Sequence, residues 1–530
     1  MLPSMKYADR ITKTQQIKFG GLDMTVGAKD GALRAMRNLS SDHAPVLATR
    51  APRYLCREMD KPGGLYAWDG LCWVSGTDFW YDGKIRGQVS EGEKSIVTMG
   101  PYIIIFPDKC YFHVDTGEFG SLESRWEGKN LTFCDGQIYE ETAKANTIKC
   151  EGVNWTDWFR DGDGVTISGC ATNPGNNKDA VIREIDGDEL RFDENVFTLG
   201  TESGTVSIAR TVPDMKFLCE NENRLWGCTD TTIYISKWSD PFNWNVQDGL
   251  ETDSYVLEPG SAGTFTGCIS YRGYPTFFKE DHIYKVYGSV PSNYEVLGSA
   301  SLGLAEGCHG SLAIAGETLF YLSTSGIMAY TGGIPQPMGA AFGINRFLKA
   351  VGGSDGLKYY VSMQEADKSW SLYVYDTQTG LWHREDETKA VGFARHKGDL
   401  YMLNVAGQLW ILGHPQNPPE DAVQEDAFSW EAEFADFTEN EPNRKALSKL
   451  QLRVELEPGA TVQAWLQFDS DGVWHKVRGA LGEGTKRSYY LPIIPRRADH
   501  YRLKLTGTGG CRVYSLSREF YVGSELKTRY

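Results

Sequence analysis

An all-β fold, arranged as a β-propeller of six to eight blades with seven favoured, is what three features of this 530-residue sequence predict. The first is the stretch Leu225–Gly288, which holds two similar pieces, LWGCTDTTIYISKWSDPFNWN and YPTFFKEDHIYKVYG. Each has an apolar, aromatic strand, a turn on acidic or small residues (Asp230, then Glu280-Asp281) and a second apolar strand, Ile233–Ile235 or Ile283–Val286. A hairpin alone buries too little apolar surface to persist in water, so tandem copies point to a repeat. The second feature is recurrence: LCWVSGTDFWYDG from Leu71, YIIIFPDKCYFHVDTG from Tyr102, LFYLSTSGIMAYTG from Leu319, SWSLYVYDTQTGLW from Ser369 and LYMLNVAGQLWILG from Leu400 bring the copies to seven. The third is spacing. From Phe277 the starts are 42, 50 and 31 residues apart, scattered around the roughly 40–50 residues of a four-stranded blade. A set of unrelated β-sandwiches would also show frequent hairpins.

The repeat is interrupted once. Tyr102 to Trp226 spans 124 residues, about one blade plus 80 more. The surplus is expected as a small inserted β-domain over 129–210, with Val165-Ile167, Val181-Ile182-Ile185 and Leu190-Phe192 as β-formers between Gly/Asp turns. Insertion at a hairpin tip is tolerated because the ends lie close together.

Composition agrees with turn-rich β structure: 58 Gly, 12% aromatics and one weakly helical stretch, Gly339–Val351. There is no apolar run long enough to span a membrane and no apolar core of a secretory leader near the start. The eleven cysteines are scattered with no C-x-x-C pair, which reads as small buried apolar residues of a chain maturing in a reducing cytoplasm. A net charge of −16 argues against neutralising nucleic-acid phosphates, while leaving room for a surface that DNA slides past.

In chain order, residues 1–45 read as an N-terminal arm and docking segment, with one helical turn carrying Ala32-Leu33 and Met36 and a strand at Pro45–Leu47. Blades occupy 46–128 and 211–414 on either side of the insertion. Phe242, Trp244 and Val246 alternate with Asn243, Asn245 and Gln247 after the turn Ser239-Asp240-Pro241, which is strand periodicity. Residues 415–426, PQNPPEDAVQED, form a proline-rich acidic linker. A C-terminal β-sandwich over 427–530 follows from the alternation of Leu450, Leu452, Val454 and Leu456, and of Tyr501, Leu503 and Leu505.

The run F-G-G, D-G-A-L-R-A-M-R-N-L-S-S-D and P-V-L-A-T-R-A-P-R resembles the opening of bacteriophage tail proteins. The likeness continues through SKWSDPFNWNVQDG and FTGCISYRGYPTFFKEDHIYKVYG to the last domain, and is to the tail-nozzle, or packaged-DNA stabilisation, proteins of short-tailed phages. It implies a structural virion subunit without enzyme activity. Such a subunit would be assembled in the bacterial cytoplasm as a cyclic homo-oligomer, a hexamer. The ring would adjoin the portal, the adaptor and tail fibres, continue the DNA exit channel and retain packaged DNA until ejection, without reading its sequence.

Chemistry-bearing groups are few. Asp161-Gly162-Asp163-Gly164 and Asp469-Ser470-Asp471-Gly472 lack the six or seven oxygen ligands of a calcium loop. Glu258 to Gly263 is Gly-rich but lacks the Lys-Ser/Thr ending of a phosphate loop. No zincin motif or nucleophile elbow occurs, so no cofactor, metal or catalytic residue is assigned. Asp78, Glu280 and Asp281 are the carboxylates a propeller glycosidase would use, although acids are ordinary at hairpin turns. A second class of function is a carbohydrate-binding or carbohydrate-cleaving propeller with a sugar-binding sandwich, acting as a host-surface adhesin. Its candidate glycan contacts are Trp244 and Trp465. Arg496, Arg497, Arg502 and Lys504 form a basic segment for a neighbouring subunit or a polyanion.

Overall fold

The fold was taken from a computed structural model, which describes residues 10–136, 146–192, 196–415, 418–441, 443–477 and 484–522. The chain divides into two compact units, one of Pro62–His309 and one of Met1–Lys61 with Gly310–Tyr530. Both are built of small antiparallel sheets.

In the unit 62–309, four meanders of four strands follow one another. Their first strands are Pro62–Ala67, Ser95–Met99, Phe217–Asn221 and Gly267–Tyr271, and each packs against the first strand of the next meander. Both faces of an inner meander are therefore covered, which explains the unbroken apolar run Tyr102–Phe106. Ile103 and Ile105 join Val74, Phe79 and Phe112 on one side, while Ile104 and Phe106 join Leu218 and Leu225 on the other. Two-residue turns close the hairpins. Glu222-Asn223 and Arg272-Gly273 all have positive φ, the backbone hand that matches strand twist.

The insertion starts at Ser124, where Ser124–Gly128 pairs with Val206–Arg210. Eight strands surround a core of Trp126, Phe133, Trp155, Phe159 and Phe192. The segment Phe242–Val246 departs from its sequence pattern, because it forms no strand although Phe242, Trp244 and Val246 are buried. Asn243 is buried as well, accepting from Gly164 N at 2.8 Å and donating to Asp240 at 2.6 Å and Asp163 at 3.2 Å. Side-chain amide bonds replace the ladder here.

The other unit holds three more meanders, whose first strands Ala313–Ala315, Phe347–Ser354 and Ala390–His396 again pack in sequence. The seven recurrent hairpins fall one to a meander. Six are its second and third strands, but the copy from Ser369 is the third and fourth, Trp370–Asp376 and Leu381–Arg384. The true second strand begins at Lys358, and counting from it removes the uneven spacing. The expected helix at Gly339–Val351 is one 3-10 turn, Gly339–Phe342, followed by the long strand.

The last meander takes its fourth strand from the N-terminal side: Tyr54–Glu58 pairs with Gln408–Leu412, and Val423–Gln424 with Tyr54-Leu55. Part of the expected free linker is thus a strand. Gly407 permits this, since a Cβ there would lie 1.8 Å from the carbonyl oxygen of Met59, whose N–H donates to Gly407 O at 2.8 Å. Two further sheets are equally composite. Cys511–Val522 lies between Lys445–Leu456 and the N-terminal strands Arg10–Gln16 and Leu47–Thr49. Leu33–Arg37 extends the sheet of Ser429–Phe434, Tyr501–Thr508 and Thr461–Phe468.

The expected arm over 1–45 is therefore woven into sheet structure from Arg10 onward, and residues 1–9 lie outside the described residues. The expected helical turn is the strand Leu33–Arg37. A bulge between Leu33 and Ala35 lets Leu33 and Met36 both point inward despite their helix-like spacing.

Removing residues 1–16 is expected to expose the edge of the Leu516–Val522 segment. Hydrogen–deuterium exchange should show faster exchange there, while the meanders keep wild-type protection.

Candidate functional site

A concentration of buried charge lies where the N-terminal segment enters the last meanders. Arg50 and Arg53 have side chains 4% and 6% exposed. Arg50 grips Glu425 with two bonds of 2.7 and 2.9 Å, donates Nε to Asn38 Oδ1 at 2.8 Å and stacks over Phe428 at 4.1 Å. Arg53 reaches Glu385 at 2.6 Å and Asp386 at 2.7 Å, and its backbone N–H donates to Glu425 at 3.2 Å. Two stretches distant in sequence, Glu385-Asp386 and residues 425–428, meet on two guanidiniums, whose planar forks suit carboxylates. Burial alone would raise the carboxyls of Asp386 and Glu425, but Arg53 and Arg50 respectively hold them below the usual range.

Beside this network is a cleft of about 730 Å³, lined among others by Asp42, His43, His414, Phe428, Glu455 and Arg512. Its charges are mutually engaged: Asp42 with Lys358, Asp42 with His414 at 3.7 Å, and Glu455 with Arg512 at 4.0 Å. Burial, aided by the Arg512 charge, lowers His43 below the usual histidine value. The cleft has polar groups of both signs and one aromatic face, which suits a polar, zwitterionic or hydroxylated ligand better than a polyanion.

The residues expected from sequence are dispersed. Trp244 is a core residue, 2% exposed, with Nε1 donating to Pro241 O at 3.0 Å, so its faces meet protein and not solvent. Trp465 is half-buried, donates Nε1 to Thr506 at 3.0 Å and sits directly opposite Lys504 and Lys476. Lys504 caps the Trp474 ring at 4.6 Å and faces Glu431 at 3.7 Å. Arg502 is bound by Asp436 and lies 3.8 Å from Glu433. Arg496 faces Asp471 at 3.6 Å, and Arg497 is exposed, its carbonyl accepting from Arg444 at 3.3 Å. One expected aromatic and one expected lysine thus share a surface, while much of the basic segment is neutralised in place.

Among the carboxylates, Asp78 starts the third strand of the first meander, and Glu280 and Asp281 are exposed in a turn of the fourth. Asp163 is buried against Arg210 and Asn243, and Asp161 accepts from Ile185 N at 2.9 Å, so the first candidate calcium loop is a turn. Asp469 can converge with Asp499 and His500, yet it already accepts from Asp499 N at 2.8 Å and Arg444 at 3.3 Å. Cys56, Cys110 and Cys134 are half-buried and the other cysteines buried. Among the described residues no helix is long and apolar enough to cross a membrane. Sequence reasoning missed Arg50 and Arg53 as a pair; their signal was two arginines flanking Ala-Pro, with partners more than 300 residues away.

No protein-family model and no curated protein matches the chain. Among solved structures, BamB from Moraxella catarrhalis aligns at 10% identity and a TM-score of 0.36, covering 70% of this chain and 98% of that one. Raptor from Chaetomium thermophilum aligns at 11% identity and a TM-score of 0.30, covering 69% of this chain and 29% of that one. The computationally designed Ika8 protein aligns at 12% identity and a TM-score of 0.23, over 69% and 100%. Superpositions this loose carry no weight for function.

Replacing Arg53 with Met leaves Glu385 and Asp386 buried without their partner and should cost about 3–5 kcal/mol, read by chemical denaturation. Asp386 and Glu425 have depressed folded-state values, so their contribution is present above their unfolded values of about 3.9 and 4.3. It is lost as pH falls through the folded values. Wild-type melting temperature should therefore drop on acidification below about pH 4, and that drop should shrink in Arg53→Met.

Proposed function

We propose that the seven meanders are blades of one β-propeller, that the two composite sheets form a sandwich beside it, and that the protein is a structural subunit of a phage tail nozzle. The observation that carries this reading is the packing of first strand against first strand along the meanders within each unit, with the last meander completed by Tyr54–Glu58, which precedes the first meander in the chain. A sheet sewn from both ends of a repeat closes it into a stiff disc, because each blade is held only by its neighbours.

Some of the residues that carry the resemblance to nozzle proteins take part in this joining: Arg50 and Arg53 belong to P-V-L-A-T-R-A-P-R. In this reading the subunits form a six-fold ring by head-to-tail contacts. An acidic chain of net charge −16 keeps DNA mobile in the bore instead of binding it.

A second reading, carbohydrate binding, is favoured by one observation: Trp465, Lys476 and Lys504 lie side by side, with Trp474 under Lys504. An aromatic face edged by donors suits a sugar ring. Strong, selective signals on a glycan array that vanish in Trp465→Ala would support it as a function of the ring's surface.

Native mass spectrometry and electron microscopy of the purified 59.2 kDa chain, alone and with portal and adaptor proteins, test the nozzle reading. A closed ring of six copies with no DNA retention in gel-shift assays at physiological salt is expected. A monomer under every condition, with phage particles lacking the protein holding their DNA normally, would overturn it.

A further inference from the structure

Lys279 is one of the buried cations, among the described residues, that the proposed function leaves unused. It follows directly on the strand Tyr274–Phe278 and is 1% exposed. Among the described residues it forms no ion pair with a carboxylate. Instead Nζ donates to Ser261 O at 2.8 Å, Ala262 O at 3.3 Å and Ser261 Oγ at 3.1 Å. Ser261 Oγ is also hydrogen-bonded to the Tyr284 hydroxyl. The rings of Phe265 and Tyr284 flank the ammonium at 5.0 and 5.7 Å.

Ser261 itself lies on the Gly-rich loop between Tyr255–Leu257 and Gly267–Tyr271, half-buried and followed by three exposed residues, Ala262, Gly263 and Thr264. Gly263 has φ +86, which bends the loop over the lysine stem. The hydroxyl of this half-buried serine, which also donates to Ala262 O at 3.4 Å, is thus held by a tyrosine and backed by a desolvated amine.

We propose that Ser261 is a nucleophile activated by Lys279, and that it takes an acyl group from small activated esters or thioesters. The Oγ–carbonyl bond forms and the bond from carbonyl carbon to leaving group breaks. The Oγ proton passes to the neutral amine of Lys279 and from there to the departing alkoxide or thiolate. Tyr284 holds Oγ in line as a second hydrogen-bonding partner. A serine backed by a lysine is a known alternative to the histidine-based arrangement.

Burial pushes the Lys279 ammonium below the usual lysine range, and the charge of Asp281 opposes this only in part. The other groups facing this pocket are the Tyr284 hydroxyl, and His282, which stacks on Tyr284 at 5.8 Å and pairs with Asp281 at 2.9 Å. The neutral amine therefore becomes available at a lower pH than on a free lysine.

The full chain is treated with p-nitrophenyl acetate and, separately, with a fluorophosphonate, where the phosphorus–fluorine bond breaks in place of the ester bond. Intact-mass and peptide mass spectrometry then locate the adduct. One adduct per chain at Ser261 is expected, with a rate that rises with pH to a midpoint below that of free lysine. Ser261→Ala should remove it. Lys279→Met should slow it by about 100-fold or more, the scale of general-base assistance. Lys279→Arg keeps a cation under the loop but offers no base, so it guards against simple loss of fold, checked by its melting curve. Labelling of Ser261 no faster than of other exposed serines would overturn the proposal. So would wild-type labelling in a folded Lys279→Arg variant. Neither result bears on ring assembly.

Discussion

Two buried guanidiniums, Arg50 and Arg53, fix how the N-terminal fifty residues enter the unit that also holds the C-terminus. Each charge is expensive to desolvate, and only carboxylates in hydrogen-bonding contact offset that cost. Glu385, Asp386 and Glu425 supply them from the connection between two meanders and from the acidic stretch after the last one. The network can form only when those stretches are already adjacent. It therefore selects one way of joining the chain's ends more than it adds net stability. Tyr54–Glu58, directly after Arg53, then has a defined place at the edge of Gln408–Leu412.

The strand pairs of the meanders were legible because period-two alternation and short turns are local signals. The interruption was expected over 129–210 because a repeat makes its own gaps visible; Ser124–Gly128 pairs with Val206–Arg210 around a sheet of its own. What escaped was whatever depends on a partner far along the chain. The spacing of Leu33 and Met36 imitates a helix, and only the bulge against Phe434 and Glu433 shows why both face inward in a strand. Phe242, Trp244 and Val246 alternate as a strand would, yet Asn243 finds Asp163 and Gly164 in the insertion, and those bonds replace a ladder. In the sixth meander the hairpin motif sits one strand late, because the turn after Lys358–Glu365, Ala366-Asp367-Lys368-Ser369, has no Gly to mark it, whereas Thr377-Gln378-Thr379-Gly380 after Trp370–Asp376 does.

The same reasoning sorts the candidate site residues. Trp244 and Trp465 look alike in sequence, each an aromatic at an alternating position. One is enclosed by a loop that spends its polar groups inward, and the other stands on the outer side of a strand whose alternate residues, Val462, Ala464 and Leu466, are buried. Arg502 and Lys504 point the same way as Trp465 does, but Glu431, Glu433 and Asp436 on or just after the neighbouring strand meet them. Sequence shows a basic segment; cross-strand pairing turns much of it into neutral surface.

Buried cations in this chain fall into two chemical kinds, and the difference marks where reactivity can reside. Arg50, Arg53 and Arg518 are held by carboxylates, Arg518 by Glu439 at 2.7 Å, and a guanidinium so held has no proton to exchange at accessible pH. Lys279 is held by carbonyl oxygens, a hydroxyl and ring faces, which solvate a cation without fixing its charge. An amine can give up its proton, and it does so more readily when its partners are neutral. On the reading proposed for Ser261, the second kind of contact is the one that leaves a base available.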